Sequence, residues 1–179
     1  LSPAALDRAL ELAETAVHLD ARLPEARAQL GYVLLFKRQH DAAMAEFERA
    51  IALNPNFIDY RYARALLFAG EPARAIEVLE ANMCLDPFQP LMYSTSWMGQ
   101  ANYMLKRYGD AVRLLREFTS RRPDIQLPHL WLAAAYAQLG QLEQASKEAA
   151  EVLRINPGFT IEGWKRLAVF KDSKDVDHN

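Results

Sequence analysis

Hydrophobic residues return every three or four positions along most of this 179-residue chain, which is the spacing of one face of an α-helix. Two such sets precede the Asn54-Pro55 pair, namely Ala26, Leu30, Val33 and Leu34, and then Ala43, Phe47, Ala50 and Ile51. Proline lacks an amide hydrogen and clashes with the preceding helical turn, so the second helix should end there. The pattern therefore predicts two amphipathic helices joined by a turn.

The same pair of helices recurs along the chain, marked by a small residue, an alanine twelve positions later and a proline twelve positions after that. The prolines are 32, 36 and 34 residues apart, and a period near 34 is typical of a helix-turn-helix solenoid. Changes in length fall between a proline and the next small residue, where a turn is expected. The four triplets are Gly31/Ala43/Pro55, Ala63/Ala75/Pro87, Gly99/Ala111/Pro123 and Ala133/Ala145/Pro157.

Several of these positions have a packing reason. Gly31 and Ala43 would allow the two helices of one pair to approach closely, and Phe47 would reach the neighbouring pair. Gly70 and Gly140 lie in the middle of their units, where a residue in the left-handed conformation commonly joins two helices.

These marks resemble the tetratricopeptide repeat (TPR), whose pattern places a Leu-Gly pair, a Tyr, an Ala, an aromatic residue and a Pro at fixed offsets in 34 residues. The resemblance is strongest in 24–57 and 126–159, and looser in the middle units, where Leu79 and Leu115 replace the aromatic residue. It implies an all-α fold, an α-α superhelix in the form of a right-handed TPR solenoid. In such a solenoid the first helix of each antiparallel pair lines a concave groove.

The resemblance divides the chain into four parts. Residues 24–158 should form four TPR units, and residues 1–23 read as the second helix of a truncated repeat, since Ala9 lies 34 positions before Ala43. We therefore expect the chain to be a fragment of a longer protein. The apolar side of residues 159–170 predicts a capping helix over the end of the last repeat. The charged residues 171–179 are predicted to be a disordered tail.

A second resemblance lies in the last third of the chain. Residues 156–162, followed by Phe170-Lys171-Asp172, are similar to the C-terminal ends of TPR arrays attached to bacterial class III adenylate/guanylate cyclases. Some TPR-containing transcriptional regulators end similarly, and residues 131–156 also look like that group. This resemblance implies a regulatory part of a larger bacterial signalling protein, although no cyclase catalytic segment is present in these residues.

The charge content of the chain limits which kinds of partner are expected. With 21 Lys and Arg against 23 Asp and Glu, the net charge of −2 argues against a nucleic-acid partner. The six cations of residues 106–122 are interpreted as a solvated helix face, with a docking patch for an acidic partner as the alternative.

A single cysteine, Cys84, favours a reducing, cytoplasmic location, and we predict that it is a small buried hydrophobe. No apolar run approaches the ~18 residues of a membrane span.

The sequence contains no recognisable catalytic constellation. The four histidines are scattered without metal-ligand spacing, and the seven glycines form no phosphate-binding loop. His129, beside Pro128, is interpreted as a residue at the start of a helix. We therefore predict no enzymatic activity, no cofactor and no metal.

Aromatic residues are concentrated on the first helices, where the TPR resemblance implies that a ligand binds. Of 24 positions assigned to the concave side, nine are aromatic, whereas the overall content of 10% would give two or three. We predict a peptide-binding groove formed by Tyr32, Phe36, Tyr60, Arg61, Arg64, Phe68, Trp97, Gln100, Tyr103 and Trp131. The alternative is that these side chains only pack between neighbouring repeats.

The leading hypothesis is a protein-protein interaction module that binds a peptide or a neighbouring domain in this groove. One alternative is a scaffold that self-associates, for example as a homodimer. Another is a regulatory appendage of a cyclase whose catalytic domain is absent here. Two ligand-binding patterns of the family are missing. Ala28, Tyr32 and Tyr60 stand where the chaperone-tail clamp needs its polar residues, and Arg61 and Trp131 where an asparagine ladder would stand.

Overall fold

A computed structural model describes residues 2–57, 59–85 and 92–171, and in these ranges all regular structure is helical. The helices are α1 Pro3–Leu19, α2 Pro24–Phe36, α3 His40–Leu53, α4 Tyr60–Phe68, α5 Pro72–Leu85, α6 Met92–Met104, α7 Tyr108–Arg121, α8 Gln126–Gln138, α9 Leu142–Ile155 and α10 Ile161–Leu167. The predicted all-α class is confirmed. The proline mark at Pro87 lies outside the described residues.

The helices stack as a superhelix of hairpins. Helices α2 and α3, α4 and α5, α6 and α7, and α8 and α9 form pairs, and α1 packs on α2. The first helices of neighbouring pairs, α2, α4, α6 and α8, also contact one another in that order. The surface that they share is called the groove below.

Each pair turns through one residue with a positive φ angle. Gly70 and Gly140 have φ of 79° and 72°, as predicted, but Arg38 and Lys106 occupy the equivalent positions with φ of 60°. In each turn the next amide reaches back five residues, as when Gln39 donates to the carbonyl of Leu34 at 3.0 Å. A side chain in this conformation costs roughly 1–2 kcal/mol, so the two basic residues need another reason to be there.

The small residues permit the close approach that the sequence predicted. A Cβ atom on Gly31 would lie 2.9 Å from the carbonyl oxygen of Ala43 and 3.1 Å from the Phe47 ring. On Gly99, the added atom would lie 2.6 Å from Cγ of Leu115, which is fully buried. Only glycine allows these helix pairs to pack at their present separation.

Cys84 does not lie where the sequence predicted. It is exposed near the end of α5 and is not a buried hydrophobe. The inward side of α5 carries Ala75 and Leu79, both fully buried. Position 84 follows Leu79 by five residues, about 140° around a helix with 3.6 residues per turn, so its thiol faces away from the core.

The last described residues fold back along the array. Thr160 is the N-cap residue of α10, and its hydroxyl accepts a hydrogen bond from the amide of Gly163 at 3.0 Å. Residues 168–171, called the returning segment below, are extended at Ala168 and reach α4, where the Lys171 amide donates to the Phe68 carbonyl at 2.7 Å. A solenoid held only by neighbouring repeats would contain no such contact. The remainder of the predicted tail, 172–179, lies outside the described residues.

Candidate functional site

All ten predicted site residues lie on the first helices α2, α4, α6 and α8, and the structure divides most of them among three settings. Tyr32, Phe36, Arg64 and Phe68 form one cluster, Tyr60 and Trp97 lie in an exposed stack, and Gln100, Tyr103 and Trp131 are buried. Arg61 lies beside the first cluster, with its guanidinium carbon 5.9 Å from the Tyr32 ring centroid, but its guanidinium is also bound to Asp59 and Gln29.

Arg64 lies at the centre of the first cluster. Its guanidinium carbon is 5.9, 5.7 and 5.5 Å from the ring centroids of Tyr32, Phe36 and Phe68. Its Nη1 also donates a hydrogen bond to the Tyr32 hydroxyl at 2.7 Å. Cation–π contacts of this kind attract the charge to ring faces without neutralising it. The cluster therefore presents a positive, aromatic surface.

Arg61 is committed to the internal structure of α4. Its Nε lies 2.9 and 3.0 Å from the two carboxylate oxygens of Asp59, and its Nη1 donates to Gln29 at 2.5 Å. Asp59 is buried, and it also caps α4 by accepting the Arg61 amide at 2.8 Å. The donors of Arg61 are used in positioning the helix, so Arg64 is the better candidate for contacting a ligand.

An accessible part of the groove is a run of stacked rings, called the aromatic stack below. Tyr60 of α4 stacks on Trp97 of α6 with centroids 5.0 Å apart, and Trp97 stacks on Tyr93 at 5.7 Å. Tyr60 and Tyr93 are 52% and 45% exposed. Large rings held in place by their neighbours offer binding area at a low entropic cost. Tyr93 was not among the predicted site residues.

Three predicted site residues are covered in this conformation. Tyr103 is 1% exposed and lies 5.4 Å from Trp131, which is in turn covered by Trp164 of α10 at 5.8 Å. Burial raises the pKa of the Tyr103 hydroxyl above its usual value. Gln100 is also buried. For these residues the structure shows packing against neighbouring helices, which was the alternative interpretation. A role in ligand binding stays a prediction.

An open cavity of about 560 Å³ adjoins the Arg64 cluster. Its lining includes Phe36, Arg64 and Phe68, together with Leu127 of α8 and Trp164 of α10. The returning segment closes one side of this cavity, since Ala168 and Val169 line it as well. Residues from both ends of the array thus line one cavity.

Charged groups where the returning segment meets the start of α3 are electrostatically linked. Lys171 Nζ donates to Asp41 Oδ1 at 2.6 Å, and this hydrogen bond lowers the pKa of Asp41 and raises that of Lys171. His40 is buried beside them, and its pKa is lowered from the usual 6.5 by burial first and then by the charges of Lys171 and Arg38. Asp41 acts in the opposite direction on His40, with a smaller effect.

Acidification should therefore destabilise the chain partly through His40. Unfolded His40 takes up a proton near pH 6.5, above the folded value, so the free energy of unfolding falls as pH drops below about 6.5. We expect His40→Gln to show a smaller decline between pH 7.5 and pH 5.5 than the parent chain, measured by urea denaturation. An identical decline in both chains would contradict this assignment.

The basic cluster of residues 106–122 has the solvated character that was expected. Arg113 and Arg121 pair with Asp110 and Glu117 of their own helix at 3.8 and 3.1 Å, and all four side chains are largely exposed. Near this cluster, His129 is buried at the start of α8, with Nδ1 2.6 Å from a carboxylate oxygen of Glu148. That contact ties α8 to α9.

The described residues offer neither a metal cage nor a membrane span. Within residues 2–57, 59–85 and 92–171, no group of three His, Cys, Asp or Glu side chains is arranged to hold a metal ion. None of the helices described is both long and apolar enough to cross a bilayer.

Several solved structures have a similar arrangement of helices. The chain resembles TTC0263, a thermophilic TPR protein of Thermus thermophilus, with a TM-score of 0.70 and 22% identity over 91% of this chain and 89% of that one. It also resembles residues 41 to the end of MamA from Desulfovibrio magneticus RS-1, with a TM-score of 0.69 and 19% identity over 85% and 86%. For YrrB, described as a TPR protein with an unusual peptide-binding site, the values are 0.64 and 20% over 92% and 82%. These likenesses show the fold.

Sequence families give the second comparison. Family models described as tetratricopeptide repeat match residues 24–57 and residues 103–168. No curated protein matches the chain. The two matched segments together span more than half of the chain, the first covering the α2–α3 hairpin and the second running from the end of α6 through α10. The chain therefore belongs to the tetratricopeptide repeat family.

Proposed function

We propose that this chain is a protein-interaction module that binds a peptide or a neighbouring domain through the aromatic stack and the Arg64 cluster. The observation that carries the proposal is the stack of Tyr60, Trp97 and Tyr93, which leaves two rings about half exposed on adjacent first helices. Aromatic residues and arginine are the side chains most enriched at binding hot spots. YrrB, which has a similar fold, is described as having a peptide-binding site.

The wider role that we propose is regulatory. The similarity of residues 156–162 and Phe170-Lys171-Asp172 to TPR arrays attached to bacterial cyclases supports a place in a larger bacterial signalling protein. In that arrangement the catalytic chemistry lies in another domain and the groove holds a peptide or domain that controls it. The cytoplasm is the compartment that we propose, from the single cysteine.

The double variant Tyr60→Ala/Arg64→Ala should weaken ligand binding while leaving the helical content unchanged. Tyr60 is 52% exposed, and Arg64 sits among ring faces at the surface of the groove. Peptides selected from a random library on the parent chain supply the ligand, and fluorescence anisotropy supplies the dissociation constants. Removing two hot-spot side chains costs ~2 kcal/mol or more, which is about 30-fold in affinity.

The matched control is Arg113→Ala, which removes an exposed arginine on α7 outside the groove. It should bind the selected peptides as tightly as the parent chain does. Equal binding by the double variant and the parent chain would show that the peptides bind elsewhere. Selection of no peptide at all would count against the proposed function itself.

Self-association is the second candidate, and it rests on exposed apolar residues at both ends of the array. Leu12 and Leu19 of α1 are 56% and 80% exposed, and Leu142 and Leu153 of α9 are 70% and 51% exposed. Terminal repeats usually need a polar outer face. Sedimentation over a concentration series separates the two candidates, since a monomer at all concentrations excludes the scaffold.

A further inference from the structure

The returning segment occupies part of the groove in the manner of a bound peptide. Residues 168, 169 and 170 are 7%, 4% and 4% exposed, although each lies about 130 positions from the α2–α3 turn beside which they pack. They continue beyond α10 without regular structure. Their burial therefore comes largely from other parts of the chain, although the Phe170 ring also lies near Trp164 of α10.

Hydrogen bonds to its backbone groups hold the segment at both ends. Arg38 Nη2 donates to the carbonyl oxygens of Arg166 and Ala168 at 3.2 and 3.0 Å. At the other end the Lys171 amide donates to the Phe68 carbonyl. That carbonyl would normally accept from position 72 within a continuous helix, but Pro72 has no amide hydrogen to give. The surface thus offers a donor and an acceptor to any extended chain.

Side chains of the segment supply selectivity. The Phe170 ring meets Phe68 edge to face, with centroids 4.9 Å apart, and lies 6.2 Å from Trp164. Val169 joins the core cluster that α2, α3 and α4 share. Lys171 pairs with Asp41. The surface therefore accepts an apolar residue, an aromatic residue and a basic residue in that order.

Arg38 is an unusual residue for its position. Its φ of 60° is left-handed, and the equivalent turn positions in two other units are Gly70 and Gly140. Lys106 shares this backbone conformation, but Arg38 is the one whose side chain is seen to hold another part of the chain. Strained non-glycine residues often mark functional clamps.

The segment is held in part by a weak contact. Its ion pair is largely solvent-exposed, with Lys171 and Asp41 side chains 51% and 90% accessible, so it adds little affinity. The open cavity of about 560 Å³ lies directly beside it. A tethered segment also competes at a millimolar effective concentration, which an external ligand must overcome.

We infer that this end of the groove is a peptide subsite for an extended apolar–aromatic–lysine sequence in a partner protein, which the chain's own residues 168–171 occupy until the partner displaces them. The inference rests on the proposed peptide-binding function and names the partner's chemistry. The structural parts of the subsite are Arg38 and the Phe68 carbonyl for the backbone, and Phe68 and Asp41 for the side chains.

The test uses the full chain and a fluorescent synthetic peptide that copies residues 164–173. In the parent chain the tethered segment should exclude this peptide, giving weak binding. Phe170→Ala removes the ring that fills the subsite, so the variant should bind the peptide at least tenfold more tightly. Leu153→Ala, which truncates an exposed apolar residue on α9, should bind as weakly as the parent chain.

Two further arms establish specificity. A peptide carrying alanine at the position of Phe170 should not bind any of the chains. Lys171→Glu, whose side chain is about half exposed, should keep the fold and show a smaller gain in peptide binding, which can be measured even if Phe170→Ala does not fold. Adding Asp41→Lys to Lys171→Glu should remove that gain, because the peptide's own lysine would then face a lysine.

The outcomes separate this inference from the proposed function. No gain in either Phe170→Ala or Lys171→Glu would overturn it, because the segment would then be a fixed part of the fold. If library peptides still bind the parent chain and lose affinity in Tyr60→Ala/Arg64→Ala, the proposed function stands even though the subsite has failed. Equal gains with the alanine-substituted peptide would also overturn the inference, since the subsite would then lack aromatic selectivity.

Discussion

Replacing Phe47 with alanine is expected to lower the free energy of unfolding by about 3–5 kcal/mol, the usual cost of truncating a buried aromatic residue. Phe47 is 1% exposed, stacks on Tyr62 of the next hairpin at 5.4 Å, and closes over Gly31. A typical domain is stable by only ~5–15 kcal/mol. The melting temperature should therefore fall sharply.

The matched control is the adjacent position, Glu48. Its side chain is 58% exposed, and its ion pair with Arg74 spans 3.4 Å at the surface. Glu48→Ala should change the unfolding free energy by less than about 1 kcal/mol, since exposed ion pairs contribute little. Thermal and urea denaturation followed by circular dichroism measure both variants. Equal small losses would show that α3 is packed through another face.

The hairpins could be predicted because their determinants are local. Helical spacing indicates which residues face inward. Within each repeat, residues twelve and sixteen positions apart come into contact, as Gly31 does with Ala43 and Phe47. Gly70 and Gly140 marked their turns because glycine adopts a positive φ without strain. Arg38 and Lys106 gave no such signal, although their turns have the same geometry.

The path of the chain end could not be predicted from the same kind of signal. Ile161 and Trp164 have the spacing of an amphipathic helix whether that helix covers the last repeat or leads into the groove. The choice depends on whether the array curls far enough for Phe170 to reach Phe68, about 100 residues earlier. Curvature accumulates from small rotations between repeats, and no short window of sequence contains it.

The sequence also could not predict which aromatic side chains of the first helices are exposed. Helical phase placed Trp131 and Tyr60 on the same inner surface, but Trp131 is 5% exposed and Tyr60 is 52% exposed. The difference arises from Trp164, which covers Trp131 from a helix 33 positions later. Phase gives the direction of a side chain, whereas a distant segment decides whether solvent or a ligand can reach it.

The burial of Asp59 could not be predicted from the sequence around it. Nothing in the hydrophobic pattern distinguishes it, yet it is 8% exposed, caps α4 and binds the Arg61 guanidinium through both carboxylate oxygens. Asp59→Ala should remove the cap, worth ~1 kcal/mol. It should also leave Arg61 half-buried without a counter-charge.

Asp59→Ala is expected to lower the free energy of unfolding by about 2–4 kcal/mol in total. This is less than the largest losses for deeply buried ion pairs, because the Arg61 side chain is 21% exposed. Asp59→Asn keeps an oxygen for the cap but loses the charge, so its loss should be intermediate. Asp124→Ala breaks a similar pair with Arg122 at the surface, where Asp124 is 65% exposed, and should change the free energy of unfolding little. Urea denaturation of the three variants checks this order. Losses at Asp59 no larger than at Asp124 would mean that the Asp59–Arg61 pair is solvated in solution, and that Arg61 is free to contact a ligand.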